Sequence, residues 1–97
     1  MALTQPIQQV QRVTLDGDTE ITFDKASEAF IVKNFSDSDI YVSLGSEAVD
    51  EDTAIRILPL MGQVCGINFK ADITNPKTNV VHIKGTGEVE VQEIQWQ

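Results

Sequence analysis

The amino-acid sequence predicts an all-β protein, an antiparallel β-sandwich or jelly-roll-like barrel of about eight short strands. Three observations predict it. Apolar residues alternate in short runs, as in Ile40, Val42 and Leu44 or Val81 and Ile83. These runs recur at roughly 8–12-residue spacing between Gly, Pro, Asn and Asp clusters. No stretch of helical period is long enough for a crossover helix, which excludes parallel βαβ architecture.

Residues 1–6, MALTQP, are expected to form an arm, and residues 7–97 a single domain. Ile7–Leu15 has a strand pattern in which Val10 has the opposite parity to Val13 and Leu15, predicting a bulge near Gln11. Asp16-Gly17-Asp18 is a turn signal, Ile21 and Phe23 alternate through the next strand, and Asp24-Lys25-Ala26 turns again. In Phe30–Gly45, FIVKNFSDSDIYVSLG, two apolar runs flank Asn34–Asp39, whose short polar side chains favour turns. This predicts a β-hairpin around which the rest of the chain is organised. Ser46–Thr53 is acidic and has room for one helical turn.

Ala54–Leu58 continues as a strand, which Pro59-Leu60-Met61-Gly62 breaks, since proline cannot donate to a ladder. Cys65, Ile67 and Phe69 then share a face, and Ala71–Asn79 reads as a loop. Val81 and Ile83 point inward, Gly85-Thr86-Gly87 turns, and Val89 and Val91 continue inward. Ile94 and Trp96 have the other parity, predicting a second bulge near Gln92. The expected core is Phe30, Val32, Ile40, Val42, Leu44, Ile57, Ile67, Phe69, Val81, Ile83, Val89 and Val91.

Charge narrows the function classes. Fifteen acids against seven bases give a net charge of −8, and an acidic surface repels the phosphates of nucleic acid. Six of the acids fall between Ser36 and Asp52 with no Lys or Arg among them, which reads as a solvated, solubilising segment. No apolar run approaches the roughly 20 residues that span a bilayer, so no membrane association is expected. The N-terminus lacks the basic and apolar regions of a secretory signal, and one cysteine cannot form an internal disulfide. Synthesis in a reducing cytoplasm fits both observations.

Catalytic equipment is sparse. Cys65 is the only thiol and His82 the only imidazole, and their parities put them on opposite faces, which argues against a Cys–His dyad. Four zinc ligands cannot be assembled. Asp16-x-Asp18 and Asp37-x-Asp39 resemble fragments of calcium loops but lack the distal bidentate Glu, so they read as turn residues. Gly85-x-Gly87 precedes no helix that could hold a phosphate. No catalytic, cofactor or metal site is therefore expected, and the chain reads as a non-enzyme.

The unusual residues are apolar ones at positions that should be wet. Leu60 and Met61 occupy a turn, Ile31 and Tyr41 fall on the outer face of the organising stretch, Trp96 is penultimate, and Leu3 and Ile7 lie at the N-terminus. Together these seven are the candidate protein-interface residues.

The stretch FIVKNFSDSDIYVSLG, a strand ending in ILPLMG, and a closing VVHIKGTGEVEVQ together resemble small all-β virion proteins of tailed bacteriophages, of the head-decoration and head-fibre type. The similarity runs from about residue 27 onward. One departure is Leu60-Met61, where such proteins often have small residues after the proline. The resemblance implies a non-enzymatic structural virion protein, made in the host cytoplasm, that decorates the head surface by binding the capsid lattice or a neighbouring virion protein. It also implies a homo-oligomer, a trimer being one such form. The alternative is a receptor- or carbohydrate-binding β-module, for which only Tyr41 and Trp96 are plausible exposed aromatics.

Overall fold

A computed structural model of the chain describes residues 10–45, 48–66 and 77–94. Those residues contain six strands and no helix: β1 (Val10–Ser27), β2 (Ala29–Asn34), β3 (Ile40–Leu44), β4 (Ile55–Ile57), β5 (Gly62–Gly66) and β6 (Thr78–Ile94). All pairings are antiparallel and belong to one sheet, nearly closed into a barrel.

The central strand is β6. One of its edges is taken by β1 from Val10↔Gln92 to Thr22↔Val80. Its other edge is shared end to end, by β2 against Val89–Ile94 and by β3 against Val81–Lys84. The expected hairpin is thus not a hairpin. β2 and β3 run in the same direction along one neighbour, and Asn34–Asp39 is an excursion between them. Outside these, β5 pairs with β2 and β4 pairs with β3.

Two expected turns prove to be bends within long strands. Asp16-Gly17-Asp18 lies inside β1 and Gly85-Thr86-Gly87 inside β6, and they face each other at Asp16↔Thr86 and Gly17↔Gly85. Both strands bend at this level. Gln11 Nε2 donates to Thr22 O at 2.7 Å, although an unbent strand would set these residues about 36 Å apart. The sheet is therefore folded along one line. One half contains the start of β1, the end of β6, β2 and β5; the other contains the end of β1, the start of β6, β3 and β4. The excursion 35–39 and the turn 58–61 cross the same line. Each half has four strand segments, which is where the short strands of the sequence pattern reside.

The two inner faces pack on each other. Phe30, Val32, Cys65, Val89 and Val91 from one half meet Ile21, Phe23, Ile40, Val42, Ile57, Val81 and Ile83 from the other. Phe23 and Phe30 join across the fold with ring centroids 5.4 Å apart. Leu44 is only partly buried against this cluster, Leu15 joins it, and Ile67 and Phe69 lie outside the described residues. At the fold line β6 has no room for an inward side chain at two positions. A Cβ at Gly87 would lie 2.5 Å from Ser36 Cβ, and one at Gly85 would lie 2.9 Å from Ile40 Cγ2. Gly87 also has φ 112°, which side chains rarely adopt.

The parity-based bulges are absent. Register runs unbroken past Gln11 and Gln92, Val10 simply faces outward, and Glu93 rather than Ile94 takes the inward position. The real irregularity is between Thr22 and Ser27, at the expected turn Asp24-Lys25-Ala26. There the Ser27 hydroxyl donates to the carbonyls of Ala29 and Ile94 and tethers the passage into β2.

Candidate interaction surface

At the fold line the chain passes from β4 to β5 through Leu58–Met61. Met61 N donates to Leu58 O at 3.3 Å, closing a four-residue turn with Pro59 second and Leu60 third. Leu60 has φ 61°, the left-handed region that the third residue of a type II turn requires and that glycine normally supplies. Leu60 is 78 % exposed and Met61 54 % exposed.

Asn34 holds this turn in place. Its side chain is fully buried, and Nδ2 donates to the carbonyls of Ser38 (2.8 Å), Ile57 (3.2 Å) and Leu58 (3.2 Å). Its Oδ1 accepts from Ser36 N at 2.9 Å and Ser36 Oγ at 2.6 Å, and its backbone N–H donates to Met61 O at 2.8 Å. One carboxamide thus ties the excursion 35–39 to the turn 58–61. Phe35, whose N–H donates to Glu88 O, is exposed beside it, as is Leu58. The result is an apolar corner of Phe35, Leu58, Leu60 and Met61 on a hydrogen-bonded base.

Sequence reasoning singled out Leu60 and Met61 and missed Phe35, Leu58 and Asn34. A phenylalanine inside a run of Asn, Ser and Asp was the available signal for Phe35. Ile31 and Tyr41, also expected at an interface, are half-buried on the outer face. Leu3, Ile7 and Trp96 lie outside the described residues.

The outer face carries two ionic rows of opposite sense. In the first half, Glu90 sits between Arg12 (3.0 Å) and Lys33 (3.3 Å). Arg12, and then Lys33, hold its carboxyl below the ordinary glutamate range. In the second half, His82 sits between two carboxylates. Its Nδ1 is 2.7 Å from Asp18 Oδ1, and its Nε2 is 3.2 Å from Glu20 Oε2, close but without hydrogen-bond alignment. Asp18 Oδ2 accepts from Val49 N at 2.8 Å, and Lys84 Nζ reaches Glu51 Oε2 at 3.0 Å. These contacts fasten the acidic segment over the sheet. Within it, Ala54 N donates to Asp50 O at 2.9 Å, the single helical turn expected there.

Cys65 is in the core, its thiol pushed up to about 11 by burial, and its hydrogen-bond acceptor is Gln63 O. His82 lies on the opposite face with carboxylate neighbours, so the two are not brought together. Asp39, from one of the calcium-like pairs, accepts from Arg56 Nε at 2.8 Å, and Asp18, from the other, is committed to His82 and Val49. A shallow cleft of about 230 Å³ opens between β3, β4 and Gly66, lined by Val42, Leu44, Ile55 and Thr53.

No family model, curated protein or solved structure matches the chain.

Proposed function

We propose that the protein is a non-enzymatic structural component of a tailed-phage virion, a head-surface protein that docks onto the capsid lattice or a neighbouring virion protein through the apolar corner. The observation that carries this reading is Leu60: a large apolar side chain at the tip of a turn, at positive φ, where glycine would be less strained and better suited to water. The base beneath it is rigid, so little ordering entropy is lost when a partner covers it. The three stretches behind the phage resemblance also converge here: residues 34–39, 57–62 and 85–87 meet at the fold line. The same reading assigns contacts to Leu3, Ile7 and Trp96 from their sequence positions, and places the mature protein on the virion.

The test is binding of Leu60→Asp and Met61→Asp variants to particles lacking the protein, scored beside their melting curves. Burying one large apolar side chain contributes about 1.5–3 kcal/mol, so each variant should bind at least about tenfold more weakly while melting as the wild type does. Wild-type binding by both variants would refute the reading.

A further inference from the structure

An exposed sheet edge is a template for another strand, and proteins blunt such edges with charge, bulges or brevity. Two of the three edges among the described residues are blunted. The outer edge of β1 carries Arg12, Asp16, Asp18, Glu20, Asp24 and Lys25, with an irregular stretch before Ser27. The β4 edge is three residues long and carries Arg56. By contrast β5, Gly62-Gln63-Val64-Cys65-Gly66, has no charge, no proline and no bulge, and pairs in unbroken register with β2. Val64, at its centre, is 58 % exposed and lies opposite the half-buried Ile31. Gly66 adds an independent sign. Among the described residues a Cβ there would meet nothing closer than Glu28 O at 3.9 Å, and its φ is not positive, so packing against those residues does not require glycine. Glycine in a strand often marks the close approach of another backbone.

We propose that β5 is the edge by which two copies of this chain pair, antiparallel about a two-fold axis at Val64. The pattern of the strand is self-complementary: Gly62 falls opposite Gly66 of the second copy, Gln63 opposite Cys65, and Val64 opposite itself. The outer face would then carry a continuous row of Ile31, Val64, Val64 and Ile31 across the two copies. Charge selects the occupant. At a net charge of −8, copies repel wherever acids face acids, and a two-fold pairing of the β1 edge would place its acids close together. On β5 no charge opposes another. A neutral strand with mirrored ends fits a copy of itself better than a charged foreign segment.

The experiment is sedimentation equilibrium of the full chain up to about 1 mM, where even a contact worth about 4 kcal/mol is substantially formed. A reversible dimer is expected. Val64→Lys places like charges directly opposite and should weaken association at least about tenfold with an unchanged melting curve. Under mild oxidation Val64→Cys should give a disulfide-linked dimer, whereas the wild type, whose Cys65 is buried, and Leu60→Cys should not. A monomeric wild type, a closed trimer, undiminished association of Val64→Lys or equal cross-linking of Leu60→Cys would each overturn the proposal. The edge adjoins the corner at Met61 but shares no residue with it. A monomer therefore removes this inference and leaves corner binding to its own assay.

Discussion

The fold line is crossed in two different ways. Where β1 and β6 cross it, Gly85 and Gly87 hold the positions that face packed atoms, and the paired strands bend together without losing their ladder. Where β2 passes to β3 and β4 to β5, the ladder is interrupted, and Asn34 replaces the missing backbone bonds with its carboxamide. The first crossing removes side chains so that the sheet can close on itself. The second keeps large apolar side chains and turns them outward, with leucine in a conformation suited to glycine. One crossing is thus built for folding, and the other retains a feature that folding does not require.

Substitutions can break that contrast, and the largest effect should come from the glycine crossing. Gly87→Val brings a Cβ to within 2.5 Å of Ser36 Cβ and forces a β-branched residue to φ 112°. Overpacking and backbone strain together should cost about 3 kcal/mol or more, read as a lower urea midpoint or failure to fold. A wild-type midpoint would show that the two strands do not bend where they are placed.

Asn34→Ala should come next. It takes one donor from each of the carbonyls of Ser38, Ile57 and Leu58 and removes the acceptor of the buried Ser36 N–H, at a cost of about 2–4 kcal/mol. Asn34→Asp keeps the acceptor for Ser36 but turns a buried carboxylate onto the three carbonyls that Nδ2 served, and above about pH 5 it should cost at least as much as alanine in chemical denaturation.

Leu60→Gly should do the opposite. Relief of the left-handed strain should leave stability unchanged or raise it by about 1 kcal/mol, while the large side chain available to a partner is lost. A marked loss of stability would mean that Leu60 serves the fold, and the contrast between the crossings would collapse.

The smallest effect concerns pH. The Asp18 carboxyl is held below its ordinary value of 3.8, first by the hydrogen bond from His82 and then by Val49 N–H. A carboxyl depressed in the folded state contributes stability that is fully present above the unfolded value and is lost as pH falls through the folded one. Wild-type stability should therefore decline below about pH 4 more steeply than that of Asp18→Asn. Parallel denaturation curves for the two proteins between pH 5 and pH 2 would remove Asp18 as a fastener of the acidic segment. Because the group is partly exposed, the difference should be small beside those at Gly87 and Asn34.

The candidate surface was legible only in part. Leu60 and Met61 stand out because a turn is a poor place for large apolar residues, but their anchor does not. Asn34 reads locally as one more turn-forming residue, and its burial depends on residues 57 and 58 arriving above it from elsewhere in the chain. His82 and Asp18 are likewise 64 residues apart, and nothing local pairs them.

Alternation alone determined the all-β class and most of the inward residues, because side-chain direction along a strand depends only on position within that strand. Local chemistry also marked where the chain must bend, through the glycines and the Asn34–Asp39 run. Whether a bend reverses the chain into a hairpin or carries it across a fold in the sheet is a different matter. That depends on whether the neighbouring strand bends at the same level, as β1 and β6 do at Gly17↔Gly85, and on which edge remains free to pair. Both are set by contacts between residues far apart in sequence, so only the tertiary structure decided that the expected hairpin was two strands in line along β6.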